Sequence, residues 1–278
     1  MPDPLASSWT DLDRPPLSAA RLQRVVDGSA LWREIRVVDV TASTNADVAA
    51  AAALGAAEGL VIIAEEQRAG RGRLDRRWES PARTGLLVSV LLRPDVPASA
   101  LPLLPLLVGL AAVESVRAVA GVPVGLKWPN DVLAGGRKLG GVLAERLGGV
   151  GSASGVVVGI GLNVSTRAEE LPLPTATSIH LEGGVIDREP LAKELLRALE
   201  RRYAAFRSSG GSPVSVLPAY RQVCETIGQR VEVQLPEGGA VMGTAVNVND
   251  SGMLVVRDDA GRETARSAGD VVHLRQEG

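Results

Sequence analysis

Five arginines fall within ten residues, Arg68 to Arg77, and glycines interleave them in Gly70-Arg71-Gly72-Arg73-Leu74-Asp75-Arg76-Arg77-Trp78. Crowded like charges repel, so this segment calls for a compensating anion. Glycine lets the backbone approach that anion closely. Each guanidinium offers a planar fork that matches phosphate oxygens two at a time. Trp78, at the end of the run, has a ring that could stack on a base. No glycine loop of the P-loop form is present, and at this level a solvated basic loop or a nucleic-acid arm fits as well as a phosphate site.

A second cluster, Lys127-Trp128-Pro129-Asn130-Asp131, is a tight Trp-Pro-Asn-Asp turn with a lysine before it, interrupting a strand between Leu126 and Leu133. Downstream come Lys138-Leu139-Gly140-Gly141-Val142-Leu143-Ala144-Glu145 and Gly159-Ile160-Gly161-Leu162-Asn163. Both are apolar runs broken by glycine. Glycine inside a strand weakens it and often marks close approach of a ligand.

These groups need elements to hold them. Ser18 to Val26 reads as a short helix and Arg36 to Val40 as a strand. The polar turn at Thr41-Ala42-Ser43-Thr44-Asn45 precedes an Ala-rich helix, Asp47 to Ala57. Leu60 to Ala64 and Leu86 to Leu92 read as buried strands on either side of a charged loop, Glu65 to Pro81. Ser99 to Ala120 reads as a helix with prolines in its first turn. Strands are expected at Val124 to Trp128, Asp131 to Ala134, Lys138 to Glu145 and Gly155 to Asn163. Helices are expected at Arg188 to Arg207 and Val214 to Glu225. From about Gly228 short alternating strands recur: Arg230 to Gln234, Ala240 to Val248, Met253 to Arg257, Glu263 to Arg266 and Val271 to Leu274. That texture predicts a small β-barrel.

Composition sets the outer bounds. The chain has 278 residues, 45% hydrophobic and 22% charged, which suits one large and one small domain with a buried core. A net charge of −2 gives no general attraction to nucleic acid or anionic membrane, so phosphate affinity must be local. One cysteine, Cys224, cannot form an internal disulfide, in keeping with a reducing cytoplasm. Residues 1–16 read as a disordered leader without signal-peptide character. The apolar run Leu101 to Val113 is too short to span a bilayer and reads as a core helix.

Taken in order, Ser43-Thr44-Asn45, GRGRxxRxW at 70–78, KWPND at 127–131, KLGG at 138–141 and GIGLN at 159–163 resemble the biotin protein ligases, which biotinylate acetyl-CoA carboxylase and its relatives. Ala176-Thr177-Ser178-Ile179 and the closing strands agree, so the resemblance runs from about Arg36 to Leu274. It implies an α+β fold: a class II synthetase-like mixed sheet with flanking helices over 17–227, then an SH3-like barrel over 228–278. Some members carry an amino-terminal winged helix. About 35 residues precede the first matched strand here, too few for that module, so the chain resembles the form without the DNA-binding domain.

The same resemblance implies the chemistry. Biotin and ATP are the substrates, Mg²⁺ rides on the ATP phosphates, and biotinyl-5'-AMP is the intermediate. The acceptor is a lysine of a biotin carboxyl carrier domain. Ser43, Thr44, Asn45, Gln67, Gly70, Arg71, Gly72, Arg73, Lys138, Gly141, Gly159 and Gly161 are expected around biotin. Arg73, Arg76, Trp78, Asn130, Asp131, Lys138 and Asn163 are expected around the nucleotide. Lys138, Arg71 and Arg73 should screen the repulsion between two anions, and Asp131 is the candidate base for the acceptor amine. The 70–78 loop should close over the intermediate and exclude water. Partners implied are the carrier domain alone, with neither DNA nor membrane, for a cytoplasmic monomer or weak homodimer.

Plainer readings stand beside these. Ser43 and Thr44 suit helix caps, Gly159 and Gly161 suit packing, and Trp128 and Cys224 suit the core. His180 and His273 have no metal spacing. Lipoate ligases and octanoyl transferases share the glycine-rich strands and a lysine but are not expected to carry GRGRxxRxW with KWPND. A ligand-sensing DNA regulator would need several cations on one face.

Overall fold

The computed structural model describes residues 14–73, 76–148, 154–234, 239–267 and 270–273. Its centre is a seven-stranded sheet in the order β1-β2-β5-β9-β8-β7-β6. The strands are β1 (Glu34–Thr41), β2 (Leu60–Gln67), β5 (Gly85–Leu92), β6 (Val124–Lys127), β7 (Asp131–Ala134), β8 (Arg137–Leu147) and β9 (Gly155–Asn163). β1 and β2 are parallel, and helix α2 (Thr44–Ala53) makes the crossover that a parallel pair requires. Every other pairing in the sheet is antiparallel. β5 is buried along its whole length, which explains a sequence that is apolar apart from Ser89.

The two faces of the sheet are covered differently. α2 packs Val48 and Ala52 against Leu60, Ile62, Leu91 and Val157 on one face. The other face carries α3 (Leu104–Ser115) and α4 (Arg188–Ser208), with α1 (Ala19–Gln23) and α5 (Leu217–Val223) at the margins. Two charged side chains lie inside this layer: Arg188 Nη1 is 2.6 Å from Glu65 Oε2, and each side chain is only 4% exposed. Glu65 Oε1 also accepts from the Leu17 N–H, and Arg188 Nη2 donates to the Pro15 carbonyl.

Five further strands, β10 (Arg230–Gln234), β11 (Ala240–Val248), β12 (Leu254–Arg257), β13 (Glu263–Arg266) and β14 (Asp270–His273), form an antiparallel sheet in the order β13-β12-β11-β10-β14. Its apolar residues, among them Val231, Val233, Ala245, Leu254 and Val271, join the same buried cluster as the main core. Trp128 links the two sheets. Its ring is 1% exposed, and its Nε1 donates to the Gly252 carbonyl at 2.9 Å. Gly252 has φ +77°, a left-handed turn conformation that suits glycine.

The five strands expected after Gly228 are all present, as one antiparallel sheet. Several other expectations need correction. The helix expected at Asp47 starts at Thr44, so Thr44 and Asn45 are helical rather than turn residues. The charged loop 65–81 instead continues β2 to Gln67 and then forms a hairpin of β3 (Gly70–Arg71) and β4 (Arg77–Trp78). The helix expected over 214–225 is a 3₁₀ turn, Pro213–Ser215, followed by α5. Within the leader, residues 1–13 lie outside the described part, but Arg14 is held by Glu170 and the Ser165 carbonyl. The apolar stretch judged too short for a bilayer belongs to a continuous helical segment, Ala98–Ala120, of 23 residues. Length alone would let it cross; 72% burial of its apolar window marks it as a core helix.

Candidate active site

A cavity of about 570 Å³ opens over β8 and β9, where side chains are missing from the sheet. Gly141 pairs with Gly161 and Leu143 with Gly159, so the two strands present a strip of bare backbone. What fills the strip is specific. A Cβ on Gly159 would lie 2.3 Å from Asn45 Oδ1, and one on Gly161 would lie 2.7 Å from the Trp78 ring. These glycines therefore admit side chains from α2 and from the hairpin over the sheet.

One end of the cavity is uncharged and polar. Gln67 Oε1 accepts from the Thr44 N–H at 2.7 Å. Ser89 Oγ lies 2.6 Å from both Thr44 Oγ1 and Asn45 Oδ1. With Ser89 donating to Asn45, the single proton of the Thr44 hydroxyl has two acceptors, Ser89 Oγ at 2.6 Å and Gln67 Oε1 at 3.0 Å. Asn45 then donates through Nδ2 to Glu145 Oε2 at 2.6 Å. Ser43 stands at the helix N-cap but makes no side-chain cap bond, which leaves its hydroxyl toward the cavity it lines.

The other end is cationic. Arg73, Arg76, Arg77, Lys127 and Lys138 line the space, against Asp131 and Glu79. Lys138 Nζ lies 2.7 Å from Asp131 Oδ1 and 6.0 Å from the centre of the Trp78 ring. The Lys138 backbone is fixed from outside the sheet: its N–H donates to the Thr175 carbonyl and its carbonyl accepts from the Thr177 N–H, both at 2.8 Å. Arg73 Nη1 reaches to 3.5 Å from Asn130 Oδ1. Asn130 is held by the Val142 carbonyl and N–H, each at 2.9 Å, in a turn whose Trp128–Pro129 bond is cis. Asn163, 5% exposed, donates to the Thr177 carbonyl at 2.9 Å, which leaves its Oδ1 for other partners. The buried Trp78 Nε1 has no partner among the described residues.

The structure thus brings fifteen or so separated sequence positions to one wall. Of the residues expected at the site, Gly70 alone does not line this cavity; it sits beneath the Trp78 carbonyl in the hairpin, where a Cβ would come within 2.5 Å. Trp128 and Cys224 are buried core residues, as their apolar contexts suggest. Sequence reasoning missed Thr175 and the rim formed by Val271, Val272 and His273 of β14, which line the cavity, and Ser89 and Glu145, which hold Thr44 and Asn45 from behind it. Ser89 had a signal, a lone hydroxyl in the otherwise apolar β5. The β14 rim had none, because only the packing of the two sheets brings it there. His273 Nε2 is 3.1 Å from Thr226 Oγ1, and burial, then the positive charge of Lys127, lowers its pKa below the usual histidine value.

Comparison with known proteins places this cavity in context. Residues 37–163 match the biotin/lipoate A/B protein ligase family, and residues 226–274 match the biotin protein ligase C-terminal domain. The chain is 46% identical over 276 residues to a biotin–[acetyl-CoA-carboxylase] ligase of Mycobacterium tuberculosis, covering 96% of this chain and 100% of that one. It is 33% identical to the bifunctional ligase/repressor BirA of Bacillus spizizenii, covering 91% of this chain and 78% of that protein. Among solved structures, a biotin protein ligase from Aquifex aeolicus in complex with biotin and ATP superposes with a TM-score of 0.74 at 26% identity, over 87% of this chain and 100% of that one. Matched along nearly its whole length by the Mycobacterium tuberculosis ligase, the chain belongs to the biotin protein ligase family.

Proposed function

We propose that the chain is an ATP-dependent biotin protein ligase that forms biotinyl-5'-AMP and passes the biotinyl group to a lysine of a biotin carboxyl carrier domain of the acetyl-CoA carboxylase type. The observation that carries this is the division of one cavity into an uncharged polar end and a cationic end, with Lys138 at the cationic end. A ureido ring needs paired donors and acceptors away from water. Ser43, Thr44, Gln67 and Asn45 supply them at one end, and the glycines of β8 and β9 let Asn45 and Trp78 pack down onto the sheet around the cavity.

In the first step a carboxylate oxygen bonds to the α-phosphorus of ATP while the bond to pyrophosphate breaks. Both reactants are anions. Lys138 has three N–H donors, so it can bridge carboxylate and α-phosphate while keeping Asp131. Arg73 reaches Asn130 at the same end, Arg76 also lines the cavity, and Arg71 pairs with Glu145 beside Asn45. The nucleotide enters as its Mg²⁺ complex; this reading needs no metal cage from the protein. In the second step the acceptor amine attacks the acyl carbon, AMP leaves, and the amine proton passes to Asp131. Asp131 holds Lys138 in the structure, so it serves as base only once the substrate phosphate shares that ammonium.

The reading gives the chain no operator DNA or membrane partner: arginines of the 70–77 segment face the cavity, and the long apolar helix is a buried one. It places the enzyme in the cytoplasm as a monomer or weak homodimer. The test is incubation with ATP and either biotin or lipoate, with adenylate followed by mass, then addition of an acceptor domain. Biotinyl-adenylate and biotinylated acceptor are expected from wild type. Lys138→Ala should lose about 10²–10³ in rate, or ~3–4 kcal/mol of transition-state stabilisation. Adenylate formed from lipoate but not biotin would refute the assignment.

A further inference from the structure

We propose that Glu145 is a positioning residue that latches the Gly–Arg hairpin to the uncharged end of the cavity. Glu145 lies near the end of β8, where pairing with β9 fixes the backbone at Glu145↔Val157. Its Oε2 accepts from the buried Asn45 amide at 2.6 Å. The same carboxylate reaches the hairpin: its oxygens lie 3.0 and 3.3 Å from Arg71 Nη2. Asn45 is itself fixed through Ser89, Thr44 and Gln67. An unbroken polar chain therefore runs from the end of β2, across the cavity floor, to the hairpin strand β3.

An exposed ion pair is usually weak because two long side chains must be ordered to make it. Here the Asn45 amide already orders the carboxylate, so only Arg71 loses freedom. Arg71 and Arg73 consequently divide their work. Arg71 ties the hairpin down at the uncharged end through Glu145, and Arg73 reaches Asn130 at the cationic end. Among the described residues, the Glu145 carboxylate bonds to Asn45 and Arg71 and not to Lys138 or Arg73. Its influence should fall on biotin and on retention of the intermediate, and spare ATP affinity. This inference rests on the ligase reading for its kinetic readout only.

The test uses the full chain and three variants: Glu145→Gln, Arg71→Ala and the double variant. Glutamine keeps an acceptor for Asn45 and removes the charge that Arg71 needs. Free biotinyl-adenylate escaping into a filtrate is measured beside KM for biotin and for ATP. Limited trypsin cleavage after Arg71, Arg73, Arg76 and Arg77 is followed by mass as a readout independent of catalysis. Glu145→Gln should raise escape and trypsin cleavage about five-fold and raise KM for biotin, with KM for ATP unchanged. Because the pair acts as one unit, the double variant should be no worse than Arg71→Ala. Wild-type escape and cleavage in Glu145→Gln, effects that multiply in the double variant, or a uniform loss of all constants alongside a lowered melting temperature would each overturn the latch. If wild type itself made no adenylate, the ligase reading would fall, and the trypsin rates alone would decide the latch.

Discussion

Gly161→Ala tests how the cavity is built. A Cβ at this position would meet Trp78 at 2.7 Å from Cε2, 2.9 Å from Cζ2 and 3.0 Å from Nε1. Carbon atoms in good contact stand about 3.5–4.0 Å apart, so the ring must retreat by roughly 0.5–1 Å. Gly161 cannot give way, since β9 is paired on both sides, to Leu87 and to Gly141. Overpacking of this kind costs about 1–3 kcal/mol. If the strain appears wholly at the site, kcat/KM for biotin falls roughly 5- to 150-fold. If it appears in folding, the melting temperature falls by about 2–4 °C per kcal/mol for a chain of this size. Both quantities are read from ATP-dependent adenylate formation and thermal melts. Gly28→Ala, with nothing within 4 Å of its added carbon, serves as the neutral control. In a Trp78→Ala background the extra methyl has no ring to meet and should cost almost nothing further. A Gly161→Ala enzyme with wild-type kcat/KM and melting temperature would refute the reasoning that the indole rests on bare backbone.

Three other outcomes are expected. Asp131→Asn should slow acyl transfer from preformed biotinyl-adenylate about 10²-fold or more, as loss of a general base does; transfer at the wild-type rate would leave Asp131 only its pairing with Lys138. Acidification should destabilise the protein through His273. Its folded pKa lies below the unfolded value, so the unfolded chain takes up the proton first, and stability is lost as pH falls from the usual histidine range toward the folded pKa. Melting curves at pH 7.5 and 5.5 should therefore differ less for His273→Gln than for wild type; an equal difference would exclude His273. Arg188→Ala leaves Glu65 charged and buried, which should cost about 3–5 kcal/mol by denaturant titration. A loss under 1 kcal/mol would mean that water reaches that pair.

Much of the site was legible because its chemistry is concentrated in short motifs. KLGG and GIGLN fall on adjacent strands, and Gly141 faces Gly161 across the ladder. Local pattern was weaker at boundaries. Ser43, Thr44 and Asn45 are good turn and cap residues, yet Thr44 and Asn45 enter the helix, because Gln67 and Ser89 supply hydrogen-bond partners there. Arg71 and Trp78 looked like loop residues because two-residue strands are too short to show an alternating pattern. Glu145 ended an apolar run and gave no hint of its partners, which lie 74 and 100 positions away in sequence. The β14 rim is likewise a product of long-range packing alone.

The helical stretch Ala98–Ala120 has a consequence for how the chain is made. It is apolar on nearly every side, and apart from β5 and the neighbouring turn most of what covers it, including β6 to β9 and α4, is encoded downstream. A ribosome therefore releases a sticky cylinder long before its shelter exists. Chaperone supply and slow, cool expression should govern the yield of native enzyme, and chains truncated before α4 should be found in aggregates.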